Sequence, residues 1–319
     1  MRFKGFKTGS FISVGNRGLN PTISLASTRR VNNPVWNFTL PYTFQGTVSG
    51  YTSGSDNTID KFPFASNANA TDVGDLTQAR AGPAGQSSSV SGYTTGGYGV
   101  SNVIEKFPFS VNANSTDVGD LTVQRYSSGG QSSSASGYTS GGHDGGLATN
   151  IIDKFPFASD ANATDVGDIQ ERKRYSAGQS STTSGYTTGG NDQFGASENN
   201  TIDKFPFATN ANATNVGDLS IGRNGLAGQS STTHGYSSGG STSRLDKFPF
   251  ATDSNATNIG DLSVARKTSA GQSSTASGYA TGGPPSSNII DKFPFASDAS
   301  ATDVGDLTVA RAFAAGQQI

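Results

Sequence analysis

The chain has no cysteine among its 319 residues, which removes disulfides, thiolate nucleophiles and cysteine-held metals together. Histidine is nearly absent as well. His143 and His234 are the only two, they lie far apart in the sequence, and neither has the third ligand that a metal site needs. No stretch approaches the roughly 18 consecutive apolar residues that span a bilayer, so no membrane insertion is expected. The opening residues carry Arg2, Lys4 and Lys7 but no continuous apolar block, so a secretory signal is not expected either. Charge is sparse and balanced, with 22 basic against 24 acidic side chains, which argues against nucleic acid as a partner. No window keeps apolar residues at helical spacing, so no helix is expected.

What fills the chain is repetition. A module of Gly-Tyr-Thr-Ser-Gly-Gly, Ile-Asp-Lys-Phe-Pro-Phe, Ala-Thr-Asp-Val-Gly-Asp-Leu, an Arg and Gly-Gln-Ser-Ser recurs between residues 50 and 316. Its lysine falls at Lys61, Lys106, Lys154, Lys204, Lys247 and Lys292. From each lysine to the Gly of Gly-Gln is always 24 residues, and from that Gly to the next Gly-Tyr always 7. All length variation lies between Gly-Tyr and Lys, where the steps run 11, 14, 17, 19, 12 and 14. A segment free to gain eight residues is a surface loop, and the rigidly spaced remainder is paired and packed. Equivalent loops of unequal length must therefore emerge on one face.

Four extended stretches fit each module: Ser87–Ser91, Gly92–Gly97, Val103–Phe109 and a fourth around Val118–Val123. Phe107 and Phe109, two apart, share one strand face. Clusters of Gly, Asn, Asp and Ser between the stretches supply turns. Four strands in each of six modules predict an all-β fold, a six-bladed β-propeller whose core is divided into slots between blades. The Ser/Thr-rich stretch suits the innermost strand. Pro63 and its equivalents predict a bulge, or pairing that stops just before them. Gly316–Ile319 predicts the missing inner strand of the blade that starts at Gly50, with Thr43–Ser49 as the rival for that role.

The Arg, the Gly, the Tyr followed by Gly-Gly, the variable loop and the aromatic strand together resemble a kelch repeat across residues 50–316, with Asp-Val-Gly-Asp-Leu standing where that family carries a Trp. The particular wording is similar to kelch-like repeats in virion proteins of tailed phages, marine cyanophages in particular. That resemblance implies a virion location, in a tail, tail fibre or baseplate, or as a capsid decoration. It implies a structural or interaction role without catalysis or cofactor. Kelch-type propellers include a copper oxidase, but its cysteine-containing site has no counterpart here.

Residues 1–42 form a separate, non-repeating arm before the propeller at 43–319. Arg2, Lys4, Lys7, Arg17, Arg29 and Arg30 occur there with no acid, beside Phe6 and Trp36. A basic, aromatic strip without periodicity cannot form a core alone. It either packs along the propeller or docks on other virion proteins as an assembly anchor.

The recurring charges are read as structural, because a reactive group is needed once and these occur in every module. They are the acid before each lysine, the Asp of Gly-Asp-Leu, and a cation 19 residues past each lysine (Arg80, Arg125, Lys173, Arg223, Arg266, Arg311). They are expected to tie strands or neighbouring blades. Asn-Ala-Thr-Asp-Val-Gly-Asp has a faint calcium-loop look, and its Asn-X-Thr also reads as a glycosylation acceptor. Turn chemistry explains the same residues more simply. The variable loops remain, with Tyr98, His143, Asp144, Asp192, Gln193, Phe194 and Glu198 as candidate binding residues. Their expected ligand is a host surface glycan or receptor in a lectin-like reading; neutral drift in exposed turns is the competing one.

Overall fold

The computed structural model describes residues 44–99, 102–192, 194, 197–284 and 287–319. These build six four-stranded antiparallel sheets, each a blade of a propeller, with consecutive strands adjacent from the axis outward. We number the blades 1 to 6 by their lysines, Lys61 to Lys292. Blade 2 shows the pattern, with an inner strand Ala84–Ser87, a second Ser91–Thr95, a third Val103–Pro108 and an outer Thr116–Asp120. The inner strand lies a few residues earlier than the sequence predicts. Ser88 explains the shift: its Oγ accepts from the amides of Val90 (3.3 Å) and Ser91 (2.9 Å), a hydroxyl-capped turn that ends the strand. At the other end of the blade, Gly96 and Gly97 adopt φ of +65° and +116°, which turns the chain out of the second strand.

The ring closes through the C terminus. Gly316 and Gln317 pair with Thr52 and Tyr51, so Ala315–Gln318 is the inner strand of blade 1. The rival segment does something else. The Gly46 amide donates to Ser273 O (2.8 Å), Gln45 Nε2 to Ser230 O (2.9 Å), and Gln318 Nε2 to Phe44 O (3.0 Å). The described chain thus begins by crossing three inner strands on the face of the Ser-Ser turns, opposite the variable loops.

Blades meet through the same contacts at each turn of the ring. Tyr93, Ile104 and Leu121 of blade 2 pack with Phe155 and Ala163 of blade 3, and Phe157 lies against them. The Tyr93 ring sits 5.3 Å from Phe155 and is stacked on Phe157 at 4.9 Å. Burying each such side chain contributes about 1.5–3 kcal/mol. Nearer the axis, a Cβ on Gly178 would lie 2.2 Å from Gly130 O, and one on Gly130 2.3 Å from Gly85 O. The equivalent approach recurs through Gly228, Gly271 and Gly316 and returns to Gly85. Glycine is required there because inner-strand backbones touch. The following glutamine fastens each blade to the next, as when Gln86 Nε2 donates to Tyr138 O (2.9 Å).

Of the two proline expectations one holds, because pairing toward the outer strand ends just before Pro63, and the other does not, because no bulge falls there. Pro63 pairs with Ser49 at the end of its strand, while the bulge falls between Ile59 and Asp60, opposite Asp72–Gly74. Its cause is in the outer strand. Asp72 Oδ1 accepts the Gly74 amide (3.1 Å), and Gly74 has φ +154° with the Ala113 carbonyl so close that no Cβ fits. Toward the outer strand, pairing stops at Lys61, where proline could not have donated.

Candidate functional site

Two kinds of polar residue must be separated: those that hold the ring and those that differ between blades. The recurring cations belong to the first kind. Each lies at the end of one blade's outer strand or on the crossover that follows it, and pairs with the acid on the next blade's third strand. Arg125 reaches Asp153 at 2.8 Å, Lys173 reaches Asp203 at 2.9 Å, Arg223 reaches Asp246 at 2.7 Å, Arg266 reaches Asp291 at 2.7 Å, and Arg311 reaches Asp60 at 2.9 Å. Arg80 pairs with Glu105 in the same place. All are buried. Burial pulls the guanidiniums of Arg80, Arg125, Arg223 and Arg266 and the Lys173 ammonium below their usual ranges, and the facing carboxylates act against that shift.

The Asn-Ala-Thr motif is also a fastening. Asn114 Oδ1 accepts the Asp75 amide (3.0 Å) of the preceding blade, and Asn162, Asn212, Asn255 and Asn69 do the same at their junctions. Among the described residues no group of three His, Cys, Asp or Glu is placed to hold a metal ion.

On the axis, the loop face is closed by backbone. The residue two after each latch cation has positive φ: Gly82 +68°, Ser127 +58°, Tyr175 +59°, Gly225 +69°, Thr268 +52° and Phe313 +57°. In that conformation each amide donates to its neighbour's carbonyl: Ser127 to Gly82 (2.6 Å), Tyr175 to Ser127 (2.8 Å), Gly225 to Tyr175 (2.8 Å). Thr268 to Gly225 (2.6 Å), Phe313 to Thr268 (2.8 Å) and Gly82 to Phe313 (2.7 Å) complete the circle. Left-handed Ser, Tyr, Thr and Phe are strained conformations, and the cyclic bonds hold them. Tyr175 and Phe313 face each other with ring centroids 6.3 Å apart. The small cavity they line, about 60 Å³, is bordered by no carboxylate or imidazole.

Off the axis the blades become individual. The variable loop of blade 3 pairs its first residue, His143, with Tyr126 of the preceding crossover, by backbone bonds of 2.9 and 3.1 Å. Tyr126 lies 5.1 Å from the His143 ring and 5.3 Å, edge-on, from Tyr98 of blade 2. Tyr98, Gln124, Tyr126, His143, Asp144 and Gly145 line a groove of about 210 Å³ between blades 2 and 3. Tyr98 is 67% exposed there. Asp144 Oδ1 accepts the amides of Gly146 (2.8 Å) and Leu147 (2.7 Å), which hold the carboxyl below its usual range. Desolvation and the Arg174 guanidinium hold the His143 imidazole below its usual value, so it is neutral at pH 7. The Gly145 amide donates to His143 Nδ1 (3.0 Å), which leaves the ring proton on Nε2.

Three sequence candidates, Tyr98, His143 and Asp144, thus meet in one groove. The others do not join them. On blade 4, Asp192 Oδ1 accepts the Phe194 amide (3.1 Å), and Glu198 Oε1 accepts from Asn224 Nδ2 (2.7 Å). Phe194 projects 79% exposed. Gln193 lies outside the described residues, as do the arm positions Arg2, Lys4, Phe6, Lys7, Arg17, Arg29, Arg30 and Trp36. The sequence reading missed Tyr126 and Gln124, which sit on a crossover of fixed length. The available signal was identity rather than length: Ala81, Tyr126, Arg174, Asn224, Lys267 and Ala312 occupy one module position.

The architecture is that of a six-bladed β-propeller with four-stranded blades closed by the C-terminal strand. The solved structure of YjhT is similar to it with a TM-score of 0.63 at 14% sequence identity, covering 74% of this chain and 86% of that one. No family model matches the sequence, and no curated protein sequence matches it.

Proposed function

We propose that this chain is a non-enzymatic structural and interaction protein of a tailed-phage particle, carried through its N-terminal arm and presenting the variable-loop face outward. One observation carries the reading: the blades repeat the same fastenings at their junctions, while the loops of unequal length that distinguish them emerge on a single face. A ring held by recurring ion pairs, glycine contacts and asparagine clips is a rigid mount. Loops on such a mount are where recognition is placed. The described chain begins on the opposite face, where Gly46 bonds Ser273, so attachment there leaves the loops free. The virion assignment, in a tail, tail fibre or baseplate, is supported by the wording of the repeat. A lectin-like reading is favoured by one specific feature, the tyrosine-lined groove between blades 2 and 3.

The test is incorporation. Particles produced with the full chain, or with a chain lacking residues 1–42, are purified and their protein content compared. The full chain is expected in the particle, and the truncated chain is expected to fold and be left out. Incorporation of the truncated chain at the level of the full one would remove the anchor, and absence of the full chain would remove the virion assignment.

A further inference from the structure

We infer that the groove between blades 2 and 3 is a saccharide site, taking one neutral sugar ring of a surface glycan. The inference rests on the display reading, because it concerns the same outward face. Three features of the groove select this chemistry.

The first is an exposed aromatic face beside polar groups. Tyr98 stands 67% exposed and is braced edge-on by Tyr126 at 5.3 Å, so its ring is held in place while remaining open to solvent. A sugar ring has an apolar C–H side that stacks on such a face and hydroxyls at its rim that need partners.

The second is the set of those partners. Asp144 Oδ1 is occupied by the Gly146 and Leu147 amides, which orients the carboxylate and leaves Oδ2 to accept from hydroxyls. Gln124 donates its Nε2 to Asp144 O (2.9 Å), so its own carbonyl oxygen is left as a second acceptor. The neutral imidazole of His143 keeps its proton on Nε2 as a donor. Donors and acceptors within a few ångströms of one aromatic face match a polyol better than an apolar ligand.

The third is charge. The cation that lines the groove, Arg125, is committed to Asp153 at 2.8 Å. Among the lining residues the remaining formal charge is the Asp144 carboxylate, and the Arg174 guanidinium just outside the lining, which bears on His143 and Tyr126, offsets it, so the groove presents no net charge to select an ionic group. A volume of about 210 Å³ suits a single ring, with the rest of the chain left in solvent.

The experiment is a printed array of neutral, acidic and sulfated glycans probed with the whole chain. Neutral glycans are expected to be retained. Tyr98→Ala and Asp144→Asn should each weaken retention about tenfold or more, while Val264→Ser on the outer strand of blade 5 leaves it unchanged. All three variants should melt with the wild type. No retention, retention of acidic glycans alone, or equal retention by Tyr98→Ala overturns the saccharide assignment. Incorporation of the same proteins into particles separates the two readings. Normal incorporation without sugar retention removes the saccharide and leaves the display role, and failure of the wild type to enter particles removes the display role whatever the array shows.

Discussion

Arg223 Nη2 lies 2.7 Å from Asp246 Oδ2, and both side chains are buried where the crossover from blade 4 meets the third strand of blade 5. Ser220 adds its backbone amide (3.1 Å) and its Oγ (2.7 Å) to the same carboxylate. The acid is therefore the knot of the junction. Replacing Asp246 by Ala leaves a buried guanidinium without compensation and should cost about 3–5 kcal/mol in chemical denaturation. The double variant Arg223→Met with Asp246→Leu should recover most of that loss. A single variant as stable as wild type would show that the pair does not hold the blades.

One junction is built more weakly than the others. Between blades 3 and 4 the cation is Lys173, and Gln170 stands where Thr77, Thr122, Ser220, Ser263 and Thr308 stand elsewhere. Asp203 therefore has the lysine at 2.9 Å but no hydroxyl donor of the kind that Thr122 gives Asp153 at 2.7 Å. Gln170→Thr should raise stability by about 1 kcal/mol, read from the denaturation midpoint at unchanged slope. An unchanged or lower midpoint would contradict this account of the junction.

The glycine contacts around the axis leave no room for a side chain. Gly178→Ala would set a Cβ 2.2 Å from Gly130 O, backbone that cannot swing aside, and should destabilise by about 3 kcal/mol or more. Gly99→Ala is the contrast. Nothing lies within 4 Å of its Cβ position, so only its φ of +92° opposes the change, at about 1 kcal/mol. Equal losses for the two would show that the inner strands are not in contact.

Alkali should open the ring. Burial pushes Tyr51 and Tyr186 up to about 12 and raises Tyr93, Tyr138, Tyr236 and Tyr279 in the same direction. In the unfolded chain these phenols lose their protons near pH 10, roughly the ordinary tyrosine value. Below that the folded and unfolded states bind equal numbers of protons. Above it the unfolded chain releases first, so stability is full below about pH 10 and is lost as pH rises toward 12. Denaturation midpoints measured against pH, with phenolate absorbance followed in parallel, should show the buried phenols ionising only as the fold is lost. Free titration of all the tyrosines at the ordinary value would contradict their burial.

Much of this architecture is legible in the sequence, for a physical reason. Packed strands cannot change length, so the constant spacing from Lys61 to Gly85 and from Gly85 to Gly92 marks them, and the stretch that grows between Gly-Tyr and Lys marks the loop face. The place of Gly85 is less legible. The serines that follow read as the inner strand, Ser87–Ser91, whereas the strand is Ala84–Ser87, its glycine answers to a neighbouring backbone and Ser88 makes the turn. The bulge is hard to place for a similar reason, since Pro63 is the conspicuous strand breaker in the sequence while Asp72 and Gly74 do the bending. In the groove, length variation pointed to Tyr98, His143 and Asp144. It was silent about Tyr126, which changes identity inside a segment of constant length and packs against a loop brought to it by the next blade.

Closure of the ring by the chain's own end is the claim on which the rigid mount rests. The direct measurement is chemical denaturation of the full chain against a chain lacking residues 315–319, which carry the inner strand of blade 1. The full chain should unfold in one cooperative transition, and the shortened one should lose several kcal/mol, broaden, and associate through the bared edge of Ser49–Ser53. Superimposable curves from two monomeric proteins would show that Ala315–Gln318 does not complete the ring.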